Sequence, residues 1–204
     1  MVTKGERCKK ESLLHLQLLL SAHLFGISLI SYLITKPNHE YKSFLGADFV
    51  CFRDKECQEL ESQAAKFLAQ AKEEGIENIF LSEHYLLAKK LGFDGVHLTS
   101  RQYVFVPEAK RRGLKVIISC HTEAEIEEAI RKKVDFITYS PIFETPDKGE
   151  PKGVEYLKKM VLRYNVKIIA LGGIVTDNHV MQIKESGAAG FASIRYFLKE
   201  IECQ

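Results

Sequence analysis

The sequence predicts an α/β protein: a single (β/α)8 barrel of the TIM type with an N-terminal apolar helical extension. Three observations lead there. Eight short apolar runs recur along the 204 residues, amphipathic stretches at helical spacing separate most of them, and no hairpin signal joins any two. The competing architecture is an open doubly wound sheet, but no GxGxxG follows the first run. The corresponding division is an extension over residues 1–25 and a barrel over 26–204.

Residues 1–11, MVTKGERCKKE, are charged, and 12–34 then carry no formal charge. That length could cross a bilayer. His15, Gln17, Ser21, His23, Ser28 and Ser31 interrupt it, so it reads as an apolar helix over 12–25 and a first strand over 27–35, with no integral membrane span. The remaining strand candidates are 48–52, 78–81, 95–98, 115–119, 136–139, 167–171 and 190–194. KPNHEYKSFLG, between the first two, leaves room for no more than a stub of helix. The stretch 56–74 places Leu60, Ala64, Phe67, Leu68 and Ala71 on one helical face. The stretch 122–132 opens with a capping box, Thr122 accepting from the N–H of Glu125 while that glutamate reaches back. Further helices are expected over 154–164, 177–186 and from 196 onward.

Composition narrows the function. Hydrophobic residues at 46% and charged residues at 27% are ordinary for a globular domain, and the net charge of +2 offers no field for nucleic acid. The five cysteines (Cys8, Cys51, Cys57, Cys120, Cys203) are odd in number and lack CxxC spacing. That speaks against a disulfide framework or thiolate zinc site and for a reducing, cytoplasmic setting.

In a parallel barrel the chemistry lies in the loops that follow the strands. Strand two delivers Arg53 and Lys55, whose alternation aims both cations one way. Strand three delivers Ser82, Glu83 and His84; strand four Thr99, Ser100, Arg101 and Gln102; strand five Ser119 and His121. Strand six leads into SPIFETPDKGEPKG, where Thr145 and Lys148 stand among prolines and glycines. Strand seven ends in ALGGI, whose Gly172 and Gly173 either admit an anion close to the backbone or serve a tight turn. The helix start near Arg195 and Tyr196 points N–H groups at the same place. Cys120 reads as a small buried hydrophobe, and His97, in GVHL, as a packed or hydrogen-bonded barrel residue.

YLIT, FRDK, DGVHL, SCHTEAE, SPIFETPDKGEPKG, ALGGI and ESGAAGFASI, in this order and spacing, resemble the thiamine phosphate synthase and TenI superfamily. The resemblance implies a barrel of thiamine biosynthesis, with a thiazole phosphate on Gly172, Gly173, Ile194 and Arg195. In the synthases, a pyrimidine diphosphate is joined to that thiazole and magnesium neutralises the leaving pyrophosphate. Arg53, Lys55, Ser119, Thr145 and Lys148 match positions that serve the pyrophosphate. The chain departs at Cys51, where synthases carry glutamine, at Ser82–Glu83 for Asn–Asp, and at Gln102 for the second metal aspartate.

Three functions follow from the resemblance. The main reading is a TenI-like enzyme moving a proton on a thiazole phosphate without a cofactor; Pro141 stands where the tautomerase histidine falls, leaving Glu144, Glu83 and His121 as acid/base candidates. The alternatives are a thiamine phosphate synthase, using magnesium on Glu83, and a non-catalytic binder of thiazole or thiamine phosphate. The partner implied is a small thiazole phosphate, with self-association into a homo-oligomer left open.

Overall fold

The computed structural model describes residues 29–201 apart from 38, 40 and 45. Among them, eight parallel strands close into a barrel in sequence order. They are β1 (Ile30–Ile34), β2 (Phe49–Phe52), β3 (Asn78–Ser82), β4 (Gly95–Leu98), β5 (Lys115–Cys120), β6 (Phe136–Tyr139), β7 (Ile168–Leu171) and β8 (Gly190–Ser193). The helices are α1 (Leu60–Glu73), α2 (Tyr85–Leu91), α3 (Val106–Arg111), α4 (Glu123–Arg131), α5 (Val154–Arg163), α6 (Asp177–Glu185) and α7 (Arg195–Ile201). The helix expected at 12–25 lies outside the described residues. No helix among the described residues is long and apolar enough to cross a membrane.

Period two along each strand sorts the core into two compartments. Tyr32, Ile34, Phe49, Cys51, Phe80, Ile117, Phe136, Ile169 and Ala192 fill the barrel interior. Their neighbours, among them Leu33, Val50, Leu81, Val96, Ile118, Ile137 and Phe191, pack outward with the helices. The floor is aromatic, with Phe49 5.4 Å from Phe80 and 5.3 Å from Phe136 between ring centroids. Gly95 pairs with Phe80 across β4 and β3, and a Cβ there would lie 2.5 Å from the Phe80 ring. Gly190 pairs with Ile30 at the closing seam, where a Cβ would meet the Ile30 carbonyl oxygen at 2.5 Å.

At the opposite end from the strand-following loops, one device repeats. Asp48, Asp94 and Asp135 each stand immediately before an even-numbered strand. Their N–H groups donate to the carbonyls of Ser31, Ile79 and Val116 on the preceding odd-numbered strand. Their carboxylates accept from the N–H groups of the same three residues, at 2.8, 2.9 and 2.7 Å. Ala189 keeps only the backbone half, donating to Ile168. These clamps fix register where a strand's first N–H groups would otherwise lack partners.

The link from β1 to β2 contains no helix among its described residues. Tyr41 and Phe44 fill the space instead, with the Phe44 ring 4.9 Å from Phe67 of α1 and the Phe44 N–H donating to Glu74. The capping box at Thr122 and Glu125 is present.

Two substitutions test this account. Gly190→Ala forces the closing seam apart and is expected to lower stability by about 1–3 kcal/mol. Asp94→Ala leaves the Ile79 N–H unpaired and is expected to lower it by about 1–3 kcal/mol. Urea unfolding measures both, and wild-type midpoints would refute the roles assigned to these residues.

Candidate functional site

The strand-following ends form one rim, and the first charge on it is Arg53. Its N–H donates to the Thr35 hydroxyl at 2.8 Å, tying the end of β1 to the exit from β2. The guanidinium is close enough for its charge to act on two interior residues. His97 has its pKa pushed down to about 3, first by burial and then by Arg53. The Cys51 thiol is pushed up to about 12 by burial, with Glu83 adding to the rise and Tyr32 and Arg53 opposing it. At neutral pH the imidazole is uncharged and the thiol keeps its proton. Cys120 is likewise pushed up to about 12, mainly by burial, and is buried as a small hydrophobe.

Arg53 and Lys55 were expected to alternate on a strand, but β2 ends at Phe52 and both lie on the following loop. Lys55 is instead oriented by an ion pair, its Nζ 3.0 Å from Glu83 Oε1. Glu83 holds a left-handed backbone (φ 68°) just past β3, with its N–H donating to the His97 carbonyl. Gln102 locks this loop to the next. Its Nε2 donates to the Glu83 carbonyl at 3.3 Å, while its Oε1 accepts from the Thr99 N–H at 3.1 Å.

Ser119 is half-buried at the end of β5. Its hydroxyl lies 3.1 Å from His97 Nε2 and 3.4 Å from the Thr138 hydroxyl. His121 is exposed, and its ring Nδ1 lies 3.2 Å from the Ser140 hydroxyl and 3.3 Å from its carbonyl. Its N–H donates to the Glu125 carboxylate at 2.5 Å, so the residue also fixes the entry to α4.

The segment after β6 runs beside the end of β7. Ile142 and Phe143 donate to the carbonyls of Leu171 and Gly172, and the Phe143 ring stacks on His179 of α6 at 4.1 Å. Gly172 and Gly173 have φ of 99° and 69°. A Cβ on Gly172 would meet Pro141 Cα at 2.8 Å, and one on Gly173 the Glu144 carbonyl oxygen at 2.5 Å. The side of this turn on which a Cβ would stand is therefore filled by the chain's own loop. Thr145 is held against this turn, its hydroxyl donating to the Phe143 carbonyl at 2.9 Å. Glu144 and Lys148 are exposed on the same loop.

At β8 the Ser193 hydroxyl donates to the Ile174 carbonyl and accepts from the Tyr196 N–H. The Tyr196 N–H, expected to point at an anion, is taken by that hydroxyl. Ile194 is half-buried and Arg195 exposed.

The rim thus joins Arg53, Lys55, Glu83 and Ser119 through β2 to β5, and Thr145, Gly172 and Gly173 through β6 and β7. The contact of His121 with Ser140 lies between the two groups. Sequence reasoning missed Tyr32 and Thr138 as partners of His97, although period two in YLIT and FITY would have aimed both inward. Among the described residues no group of three or more His, Cys, Asp or Glu side chains could hold a metal ion. Glu83 is paired with an ammonium and Gln102 is neutral and hydrogen-bonded, so these residues do not fit a two-carboxylate magnesium seat.

The chain matches the family model described as thiamine monophosphate synthase over residues 38–197. A thiamine-phosphate synthase of Pelotomaculum thermopropionicum is 28% identical over 186 residues, covering 86% of this chain and 84% of that protein. A putative thiamine-phosphate synthase of Geobacter sulfurreducens is 32% identical over 124 residues, covering 57% of this chain and 56% of that protein. Among solved structures, thiamine phosphate pyrophosphorylase from Pyrococcus furiosus superposes with a TM-score of 0.72 at 23% identity. It covers 86% of this chain and 93% of its own, a likeness of fold.

The neutral imidazole gives a pH prediction. Unfolding releases His97 from a pKa of about 3 to its ordinary 6.5. Below about pH 6.5 the unfolded chain binds a proton that the folded one refuses. The stabilisation, complete above that pH, is therefore lost as pH falls towards 3, with a slope approaching about 1.4 kcal/mol per pH unit. Urea titrations between about pH 7 and 5 are expected to show a smaller slope in His97→Gln, by about a quarter of a proton at pH 7 and close to one at pH 5. An unchanged slope would contradict the assignment.

Proposed function

The chain belongs to the thiamine monophosphate synthase family, and from that premise we propose that it joins a pyrimidine diphosphate to a thiazole phosphate and releases pyrophosphate. The names of its relatives support this reaction over the TenI-like proton transfer expected from the metal-site departures. The observation that carries it is the Lys55–Glu83 ion pair, two residues after Arg53, at a rim whose inner side presents Ser119 on the neutral His97.

In this reading the bond from the pyrimidine methylene carbon to the diphosphate oxygen breaks, and the thiazole forms a new bond to that carbon. Pyrophosphate leaves with the electron pair. What the protein must stabilise is negative charge growing on the leaving oxygen. Arg53 and Lys55 meet it from the loop after β2, and Ser119 donates its hydroxyl proton. Thr145, whose own proton goes to the Phe143 carbonyl, holds the loop after β6, and Lys148 adds a third cation as that loop settles. Gly172, Gly173, Ile194 and Arg195 take the thiazole phosphate at the adjoining loops. No step is assigned to a magnesium ion, because Glu83 and Gln102 do not make its seat.

One observation favours a second reading, thiazole tautomerisation. Pro141 stands at the position of the tautomerase histidine, and His121 reaches Ser140, its immediate neighbour, from β5. An exposed imidazole there could move a proton on a bound thiazole carboxylate. Glu144 and Glu83 would be its partners in acid/base work.

Purified protein separates the readings. Incubation with the pyrimidine diphosphate and thiazole phosphate is expected to yield thiamine phosphate, in chelator as well as in magnesium; no product in either overturns the synthase reading. If instead the carboxylated thiazole phosphate isomerises and His121→Ala abolishes this, the second reading replaces it. Binding without either reaction leaves a non-catalytic binder. Lys148→Ala is expected to weaken inorganic pyrophosphate binding about tenfold, the loss of one charge-assisted hydrogen bond. Calorimetry measures it, and unchanged affinity removes Lys148 from the site.

A further inference from the structure

A run of polar groups crosses the barrel interior behind Ser119, and only Ser119 among them has a part in the reaction described above. The Tyr32 hydroxyl lies 3.0 Å from His97 Nδ1, His97 Nε2 lies 3.1 Å from the Ser119 hydroxyl, and Thr138 contacts both His97 and Ser119 at 3.4 Å. Tyr32, His97 and Thr138 are buried, whereas Ser119 reaches the rim. We infer that Tyr32 and His97 are positioning residues that fix the polarity of Ser119, holding its hydroxyl as a hydrogen-bond donor towards the anionic oxygen of a bound diphosphate.

The argument is a count of protons. A neutral imidazole carries one N–H, and the partner at one nitrogen decides which nitrogen holds it. Burial keeps Tyr32 protonated, raising its pKa well above the ordinary phenol value with further contributions from Cys51. Its single proton can go to His97 Nδ1 or to the Cys51 sulfur. Sulfur is the weaker acceptor, and the Cys51 thiol has its own acceptor in the Phe52 carbonyl. The phenol therefore donates to Nδ1, which puts the imidazole proton on Nε2. Nε2 then donates to the Ser119 oxygen, and the Thr138 hydroxyl donates to it as well. With its lone pairs engaged from inside, Ser119 has only its proton to offer outward. The opposite tautomer would make Nε2 an acceptor, turn the Ser119 proton inward and present lone pairs to the diphosphate.

The inference rests on the proposed reading that Ser119 meets the diphosphate, and two measurements keep the failures apart. Long-range proton–nitrogen NMR on the nitrogen-15-labelled full chain, with His97 assigned by its absence from His97→Gln, reads the tautomer directly. The proton is expected on Nε2; a proton on Nδ1, or on both nitrogens, overturns the relay and leaves the diphosphate reading standing. Inorganic pyrophosphate binding by calorimetry reads the donor. Ser119→Ala is expected to weaken it about tenfold. Tyr32→Phe is expected to weaken it severalfold in wild type and to add nothing in the Ser119→Ala background. An Nε2 proton with unchanged affinity in Ser119→Ala removes Ser119 from the diphosphate site and the inference with it. If Tyr32→Phe does not fold, the tautomer of the native protein still decides the matter.

Discussion

Closure of β8 onto β1 is the constraint on which everything else depends. Residues 30–33 pair in parallel with 190–193, so Gly190 must lie flat against the Ile30 carbonyl, with no side chain between them. A closed parallel sheet has no edge, and its strand-following loops share one rim. Arg53 and Arg195, separated by most of the chain, come to that rim only because the seam closes. The aspartate clamps at the other end serve the same geometry. They hold neighbouring strands in register, and a slip of one residue would exchange the barrel interior for the helix-facing side.

The interior is divided along its axis. Phe49, Phe80 and Phe136 make a floor that excludes water, while His97, Ser119 and Thr138 stand nearer the rim. Burying a charge in such a place costs far more than burying a hydrogen-bonded neutral group. His97 therefore stays uncharged and Cys51 stays a thiol, and the charges are displaced to loops where water still reaches them. That division would suit the anionic ligand proposed above, with cations on the loops and preset neutral dipoles beneath them.

Much of this was legible in the sequence because it follows from local periodicity. Seven of the eight strands begin within one residue of their apolar runs, and the Thr122 capping box needs only four adjacent residues to be recognised. What the sequence hid is tertiary. The contact of His121 with Ser140 joins residues 19 apart, and nothing in SCHTE announces it. Arg53 and Lys55 looked like strand neighbours, but the strand stops at Phe52, and Glu83 from the next loop orients the lysine. Gly172 and Gly173 were read as admitting an anion or serving a tight turn, and the structure adds a further need for them, since a Cβ on either would strike Pro141 or the Glu144 backbone. A glycine records that something approaches, not what.

The departures at the metal positions change the charge of the rim. The resemblance gives the synthases a divalent cation, two carboxylates and the same lysine, a sum of one positive charge; here Lys55 on Glu83, with Gln102 neutral, sums to none. In the proposed reaction Arg53 and Lys148 would then carry the positive excess. An ammonium on a flexible stem is a point charge that follows its ligand and imposes no geometry on it. Orientation must then come from rigid donors. Gln102 steadies the loops after β3 and β4, and Ser119, backed by the buried Tyr32 and His97, supplies a direction that the lysine cannot.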